Sequence, residues 1–484
     1  MLAFVPVYIK FLGIEQFGLI GVYISLLAII PILDFGIGAT LNRELARFSA
    51  TKNGNNANII SLFKTLEIIY WVLGFVFIAV SVVLAPFISQ HWFNTVTLNA
   101  DSVLHSLIAM GLAITIQWML TLYYGGLLGL QRQVALNCII VVAVIVRNVG
   151  AVIVMWLIEP STRAFFIWVA IVGFIQLIGI RYYLICMLPQ SKESSIYSFK
   201  KNSKTCKFAF GITGISFVAF ALTQSDKIVL SKMLSLEIFS YYSIAWILAS
   251  GVYYISHPFY STMFPKFTQL VKVNDIQSQI SLYHKSSQSL AVILIPVAAF
   301  MAFYSFEIVK LWTGSILVAE NIQFVLKFLV FGTTLNALLQ IPYALQLAYG
   351  WTRLAFFLNL IGALCIFPVL VVAIELYSLA GAAFVWSFVN LIILFSALTI
   401  MHRKILKKEV KIWYFIDTGI PIAASIFVFS IGRFFEKFIP HVSSDKYYML
   451  IYMILMLFLA SIAAVLCAPY TRQSAIHYIK KFFV

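Results

Sequence analysis

The chain has 484 residues, of which 62% are hydrophobic and 10% are charged, and its mean hydropathy is +0.98. So few polar residues cannot cover the surface of a water-soluble protein of this length. The net charge of +16 would suit nucleic-acid binding. However, the basic residues lie in short loops between apolar runs, where they orient a membrane protein. The composition therefore predicts an all-α integral membrane protein, because the apolar runs are too long for barrel strands.

About fourteen apolar runs follow one another along the chain, and all but the first are long enough to cross a bilayer as a helix. They lie at roughly 1–13, 16–35, 65–88, 103–128, 134–158, 163–188, 208–233, 238–264, 289–312, 322–348, 354–375, 378–400, 412–433 and 447–468.

Lysine and arginine are concentrated in alternate loops, so the positive-inside rule places both termini in the cytoplasm. The longest connection, 189–207, is rich in serine and lysine and is predicted to be a cytoplasmic linker. It separates an N-terminal lobe, 1–188 with helices 1–6, from a C-terminal lobe, 208–400 with helices 7–12. Two additional helices and a basic tail then occupy 401–484.

The two halves resemble each other at an offset of about 220 residues, as expected of a transporter with duplicated bundles. Six spans separate equivalent points, so the halves form two parallel six-helix bundles. Against this repeat roughly half of the first helix is missing, so the first helix is predicted to be truncated and Met1 is in doubt as the start. The matched pairs include Glu15 with Glu237, Trp92 with Trp312 and Gly129 with Gly350.

A charge near the middle of a bilayer costs about 2.5–3.5 kcal/mol, so charged residues inside spans are candidates for function. Arg147 is the sharpest of these, because it lies about 21 Å from Gln133 along span five. It either faces a polar central cavity or pairs with a carboxylate on a neighbouring helix.

Asp34 precedes Gly36 and Gly38 at the end of span two, which predicts either a gating hinge or an ordinary helix end. Gly125 and Gly129 in span four predict a face for close helix packing.

Two further charged pairs lie in spans. Asp226 and Lys227 are adjacent in span seven, so they point about 100° apart and are not expected simply to neutralise each other. Lys64 and Glu67 are spaced to form a surface pair in span three. Elsewhere, Glu307 is expected to reach out to the membrane interface.

Enzymatic chemistry has no visible place in the sequence. The seven histidines are scattered without paired ligand spacing, and the five cysteines show no CxxC motif, so neither a metal nor a cofactor is predicted.

Several motifs closely resemble those of Wzx-type O-antigen and polysaccharide flippases, and the resemblance extends over nearly the whole chain. It is carried by Pro6-Val7-Tyr8, Leu12-Gly13-Ile14-Glu15-Gln16-Phe17-Gly18-Leu19, Asp34-Phe35-Gly36-Ile37-Gly38, Asn42-Arg43-Glu44-Leu45-Ala46, Thr223-Gln224-Ser225-Asp226-Lys227 and Phe239-Ser240-Tyr241-Tyr242.

This resemblance implies a MATE-like fold of the multidrug, oligosaccharidyl-lipid and polysaccharide exporter (MOP) superfamily in a bacterial inner membrane. It implies an undecaprenyl-pyrophosphate-linked oligosaccharide as substrate, flipped from the cytoplasmic to the periplasmic leaflet by alternating access. It also implies a polysaccharide polymerase and a chain-length regulator as partners, and coupling to a proton or sodium gradient.

The charged candidates suit such a substrate. Cations are needed to bind a pyrophosphate, and carboxylates or a flexible hinge are needed for ion coupling or gating. The cation candidates are Arg147, Arg43 and Lys227, and the coupling or gating candidates are Asp34, Asp226, Glu67, Gly36 and Gly38.

Three alternatives remain open. A peptidoglycan-precursor flippase or a multidrug/cation antiporter would have the same fold, although a cationic drug would favour a cavity rich in carboxylates. A membrane glycosyltransferase or polysaccharide polymerase fits less well, because the loops on the outer side are short.

Overall fold

A computed structural model describes residues 2–34, 36–50, 56–188, 203–407, 409–438 and 445–473. These residues are almost entirely helical. The described chain contains no β-strand, only one isolated bridge between Asn94 and Ser235. The prediction of an all-α protein is therefore confirmed, while Met1 and most of the predicted linker, 189–202, lie outside the described residues.

Packing groups the chain into two compact units, Met1–Ser240 and Tyr241–Val484. The lobes predicted from the repeat, 1–188 and 208–400, divide the chain at a different place. Compact packing does not test whether the two halves are a duplication, so the lobe boundaries stay a prediction. The helices up to the boundary are α1 (Val5–Leu27), α2 (Ile30–Leu33), α3 (Ile37–Ala50), α4 (Asn56–His91), α5 (Ala100–Gly129), α6 (Gln133–Leu157), α7 (Thr162–Met187) and α8 (Ser203–Met233). The boundary itself falls within α9 (Leu236–Ala249).

The second unit continues with helices that include one of 52 residues. They are α10 (Val252–Lys272), α11 (Ile276–Phe303), α12 (Ser305–Thr313), α13 (Ile316–Leu338), α14 (Gln340–Ala348), α15 (Arg353–Lys404), α16 (Val410–Ile412), a π-helix (Trp413–Gly419), α17 (Ile420–Glu436) and α18 (Lys446–Cys467).

By length and composition, ten helices of the described chain are able to cross a membrane, or eleven if the bent pair α9 and α10 is one span. One of the ten, α15, is long enough for two crossings. At 1.5 Å per residue α15 would be about 78 Å long, more than twice the ~30 Å of a bilayer core. The non-helical residue Ser378 breaks it, at the boundary predicted between spans eleven and twelve.

The helix α1 also contains a break, which explains the short first run of the sequence. Gly13 has φ 78° and ψ 170°, a conformation that is open to glycine but strained for other residues. The chain therefore changes direction between the two runs that the sequence separates there.

Glu15, a landmark of the repeat, has a structural role close to this break. Its buried carboxylate accepts hydrogen bonds from the backbone N–H groups of Val96, at 2.6 Å, and Thr97, at 2.8 Å. It thereby fixes the connection between α4 and α5.

In the first unit α5 packs against α3, α4 and α7, and the predicted glycine face is confirmed. A Cβ on Gly125 would lie 2.3 Å from the carbonyl oxygen of Gly38. One on Gly129 would lie 2.5 Å from the carbonyl oxygen of Asn42. Side chains at these two positions would prevent α3 from approaching α5 so closely.

In the second unit α11 packs against α10, α13, α17 and α18. The last two helices are joined to it through Tyr304, Phe429 and Tyr452. The guanidinium of Arg433 binds Glu307 at 2.7 Å. Glu307 is thus paired with a cation of α17, while its position at the membrane interface stays a prediction.

We predict that Gly129→Ala destabilises the protein by about 1–3 kcal/mol, because the new methyl group must displace backbone of α3. The measurement is the thermal unfolding temperature of the purified protein. Gly179→Ala is the control, since a Cβ on Gly179 in α7 meets nothing within 4 Å. Equal unfolding temperatures for the two variants would contradict the close packing of α5 on α3.

Candidate functional site

Arg147 lies on α6 and reaches across to α7. Its Nη2 donates a hydrogen bond to Oε1 of Gln176 at 3.1 Å, and Nε2 of Gln176 donates to the hydroxyl of Tyr124 on α5 at 2.8 Å. An arginine, an amide and a phenol from three helices are thus joined into one polar chain.

The guanidinium keeps unused hydrogen-bonding capacity. Its Nε is buried without a hydrogen-bond partner, and no carboxylate of the described chain forms an ion pair with it. The partner of Arg147 on the neighbouring helix is therefore the neutral amide of Gln176, and not the carboxylate that the sequence left open as an alternative. An arginine bound this way keeps its positive charge available to an anion.

Two tyrosines of α1, Tyr8 and Tyr23, are buried in the same unit, and Tyr8 contacts Asn148, the neighbour of Arg147. The hydroxyl of Tyr8 donates to Oδ1 of Asn148 at 3.0 Å, whereas the buried hydroxyl of Tyr23 has no partner. The region around Arg147 is consequently rich in groups that donate and accept hydrogen bonds without carrying charge.

Asp34 lies where α2 ends and α3 begins. Its carboxylate accepts hydrogen bonds from the hydroxyl of Tyr70, from Oγ1 of Thr121 at 3.2 Å and from the backbone N–H of Gly38 at 3.2 Å. The last bond caps the first turn of α3. Gly36 has φ 67°, a left-handed conformation that favours glycine, so the chain breaks at Gly36, whereas Gly38 already lies within α3.

Arg43, one turn further along α3, binds the carboxylate of its neighbour Glu44 at 2.8 Å. Both side chains are partly exposed. Its geometry therefore differs from that of Arg147, which has no carboxylate among its partners in the described chain.

Glu67 on α4 is the centre of a second ion pair. Its carboxylate accepts from Nε of Arg181 at 2.7 Å and from the hydroxyl of Tyr123 at 2.8 Å. The expected pairing with Lys64 is wrong, because the carboxylate pairs instead with Arg181 on α7, while Lys64 is exposed.

Asp226 and Lys227 contact each other directly in α8, which corrects the expectation from their positions one residue apart. The ammonium of Lys227 lies 3.0 Å from Oδ1 of Asp226, and it also donates to the carbonyl oxygen of Thr223 at 2.9 Å. The four-carbon side chain of lysine is long enough to curl back toward its neighbour. Both residues are buried.

The structure brings the partners of three candidates onto the same two helices. The helix α5 supplies Thr121 to Asp34, Tyr123 to Glu67 and Tyr124 to the Arg147 chain, while α7 supplies Gln176 and Arg181. The neutral partners among them cannot be found by considering charge alone. An uncharged amide such as Gln176, surrounded by apolar residues within a span, was the signal that could have found them.

Comparison with known proteins agrees with this fold. Residues 1–271 match the model of a family described as "Polysaccharide biosynthesis protein". The chain is 23% identical over 269 residues to the "Putative O-antigen transporter" of Shigella flexneri, a match that covers 54% of this chain and 59% of that protein. The chain thus spans less than two thirds of the length of this relative.

Two solved structures share the overall fold. One is the lipid II flippase MurJ in an inward closed conformation, with a TM-score of 0.66, 15% identity and 99% coverage of both chains. The other is an inward-facing multidrug resistance MATE family transporter of the MOP superfamily, with a TM-score of 0.66 and 11% identity. That match covers 85% of this chain and 94% of the other. At such low identities the likeness shows the fold alone.

The family match covers more than half of the chain and agrees with the motifs of the flippase resemblance. The protein is a multi-pass membrane protein with the fold of the MOP superfamily, and it belongs to the polysaccharide biosynthesis protein family.

Proposed function

We propose that the protein is a flippase that moves undecaprenyl-pyrophosphate-linked oligosaccharides from the cytoplasmic to the periplasmic leaflet of a bacterial inner membrane. The family match and the MOP fold support a transporter of lipid-linked sugars. The positive-inside rule supports cytoplasmic termini. A polysaccharide polymerase and a chain-length regulator are the proposed partners, since a flipped repeat unit must be joined to others.

The observation that carries the proposal is the state of Arg147. Arg147 is partly buried, its Nε is enclosed without a partner, and a guanidinium placed this way without a carboxylate partner in the described chain costs free energy unless an anion compensates it. A pyrophosphate offers several oxygens to the planar guanidinium, which binds two of them at once. The neighbouring amide and phenol groups suit the hydroxyls of sugars.

Arg43 and Lys227 contribute less to this proposal than the sequence alone indicates. Each already binds an adjacent carboxylate, Glu44 or Asp226. We therefore assign Arg147 the main role in binding the phosphate groups.

Alternating access needs a part of the bundle that can bend, and the break at Gly36, with Gly38 beside it in the first turn of α3, is the proposed hinge. Asp34 beside it is the preferred site for ion coupling. Glu67 and Asp226 bind the cations Arg181 and Lys227, whereas Asp34 is bonded to neutral groups only within the described chain. A proton or a sodium ion would thus meet no competing cation there.

The second candidate is a peptidoglycan-precursor flippase, which the likeness in fold to MurJ favours. A multidrug/cation antiporter is disfavoured, because the charge of Arg147 would repel a cationic substrate. Deleting the gene and identifying the lipid-linked intermediate that accumulates separates the two flippases. An accumulating peptidoglycan precursor would overturn the assignment to surface polysaccharide.

We predict that Arg147→Ala lowers transport by about tenfold to a hundredfold, because hydrogen bonds to charged groups contribute about 1.5–3 kcal/mol. Arg147→Lys should retain part of the activity, since lysine keeps the charge but loses the planar fork. The measurement is surface polysaccharide in a deletion strain at matched levels of membrane-inserted protein.

Arg163→Ala is the control for this experiment, because Arg163 is an exposed arginine of the same unit. It should leave surface polysaccharide unchanged. Normal display from Arg147→Ala would remove Arg147 from the mechanism.

For coupling, we predict that collapse of the proton gradient across proteoliposomes stops translocation by the wild type. Asp34→Asn keeps an oxygen that accepts hydrogen bonds from Tyr70 and Thr121 but cannot be titrated, so the gradient should no longer accelerate this variant. The exposed Asp101→Asn serves as the control and should respond as the wild type does. Wild-type transport that is unchanged without a gradient would exclude proton drive.

A further inference from the structure

A histidine held between two carboxylates lies in the second unit, apart from every residue assigned above. Nδ1 of His284 on α11 is 2.5 Å from Oδ2 of Asp417, and Nε2 is 3.1 Å from Oε2 of Glu409. The three residues are far apart in sequence and meet only through the packing of α11 against the start of the C-terminal helices.

Glu409, His284 and Asp417 form a row, and the burial of the three side chains increases in that order. The side chain of Glu409 is 20% exposed, that of His284 is 2% exposed and that of Asp417 is fully buried. Asp417 lies in the π-helix Trp413–Gly419, a local widening of the helix that often marks a functional position. The row thus leads from the surface of the unit to a carboxylate enclosed within it.

Proton counting limits the states that this row can adopt. Each of its two hydrogen bonds needs one proton, so both are made when the three groups share two protons. With only one proton left, a nitrogen lone pair of His284 faces an ionised carboxylate. The net charge of the three groups then changes from −1 to −2. A buried, uncompensated charge of this kind is costly, so the second proton is held firmly.

In the described part of the second unit, neither Asp417 nor Glu409 forms an ion pair with a lysine or arginine. In addition, Oδ1 of Asp417 is buried without a hydrogen-bond partner. The titratable groups that face the row from the packed elements are Tyr283 on α11, His402 on α15, Tyr414 on the π-helix and Tyr470 after α18.

We propose that Glu409, His284 and Asp417 form a proton-binding site that fastens the C-terminal helices to α11. The position supports this role, because Gln288, one turn beyond His284 on α11, also bonds to the C-terminal helices. It contacts the backbone just before α17 and just after α18. Its Nε2 donates to the carbonyl oxygen of Ile416 at 3.3 Å, and its Oε1 accepts from the backbone N–H of Tyr470 at 2.7 Å. The proposal concerns this attachment and does not depend on the transported substrate.

The test is the thermal unfolding temperature of the purified full-length protein between about pH 5 and pH 9. The wild type should be most stable where two protons are bound, and its unfolding temperature should fall by about 2–4 °C as the pH rises and one proton leaves. His284→Gln removes the site, so this variant should unfold at a lower temperature than the wild type. Its unfolding temperature should also not show the fall of about 2–4 °C with rising pH.

Glu409→Gln keeps the proposal testable even if His284→Gln does not fold, because Glu409 is partly exposed. Its amide can donate to Nε2 of a neutral imidazole, so both hydrogen bonds survive with one proton fewer. This variant should therefore have a flatter profile than the wild type at high pH. A profile parallel to that of the wild type would overturn the proposal.

His402→Gln is the matched control, since His402 is also buried and its ring lies 5.5 Å from that of Tyr283. Its Nδ1 contacts only a backbone carbonyl, that of Leu398. The wild-type pH dependence should persist in this variant. If His402→Gln flattened the profile as much as Glu409→Gln does, the titration would belong to His402 and the proposal would fail.

Discussion

Hydrocarbon supplies no hydrogen bonds, and this constraint governs nearly every feature of the molecule. Backbone groups are satisfied within helices, so the chain is a series of helices joined by short turns. Where a helix must bend, the bend occurs at a residue such as Gly13 or Gly36 that tolerates the conformation. Polar side chains within the units are held by partners on neighbouring helices, as Glu67 is held by Arg181 and Tyr123.

The constraint also explains which parts of the fold could be predicted. Hydrophobic run length reveals spans, and glycine spacing reveals close packing, because both are properties of a single helix. The separation of the first two runs near Gly13 and the close packing at Gly129 follow from such local information. Pairings between helices do not, because the sequence does not say which helices are neighbours. For that reason the sequence pairs Glu67 with Lys64 and indicates no partner for Glu307, whereas their cations lie on other helices.

The candidate site shows the same division. The cost of a buried charge identified Arg147 from the sequence alone. The length of a lysine side chain, rather than the direction of its Cα–Cβ bond, decided the contact between Asp226 and Lys227. The row around His284 was not foreseen, because its partners are 125 and 133 residues away. A search for histidines at the spacing of metal ligands cannot find such an arrangement.

The π-helix at Trp413–Gly419 has a consequence for the last two spans. A π-turn contains one residue more than an α-turn, so it rotates all that follows by about 100°. The segment from Asp417 to Arg433 is about 24 Å long at 1.5 Å per residue, and its two ends contact His284 and Glu307. The widened turn thus sets the rotation of α17 about its own axis. With this rotation, Asp417 contacts His284 and Arg433 contacts Glu307. An insertion or deletion between Asp417 and Arg433 would therefore turn one end of the segment away from its partner, whereas a substitution between them would leave both contacts in place.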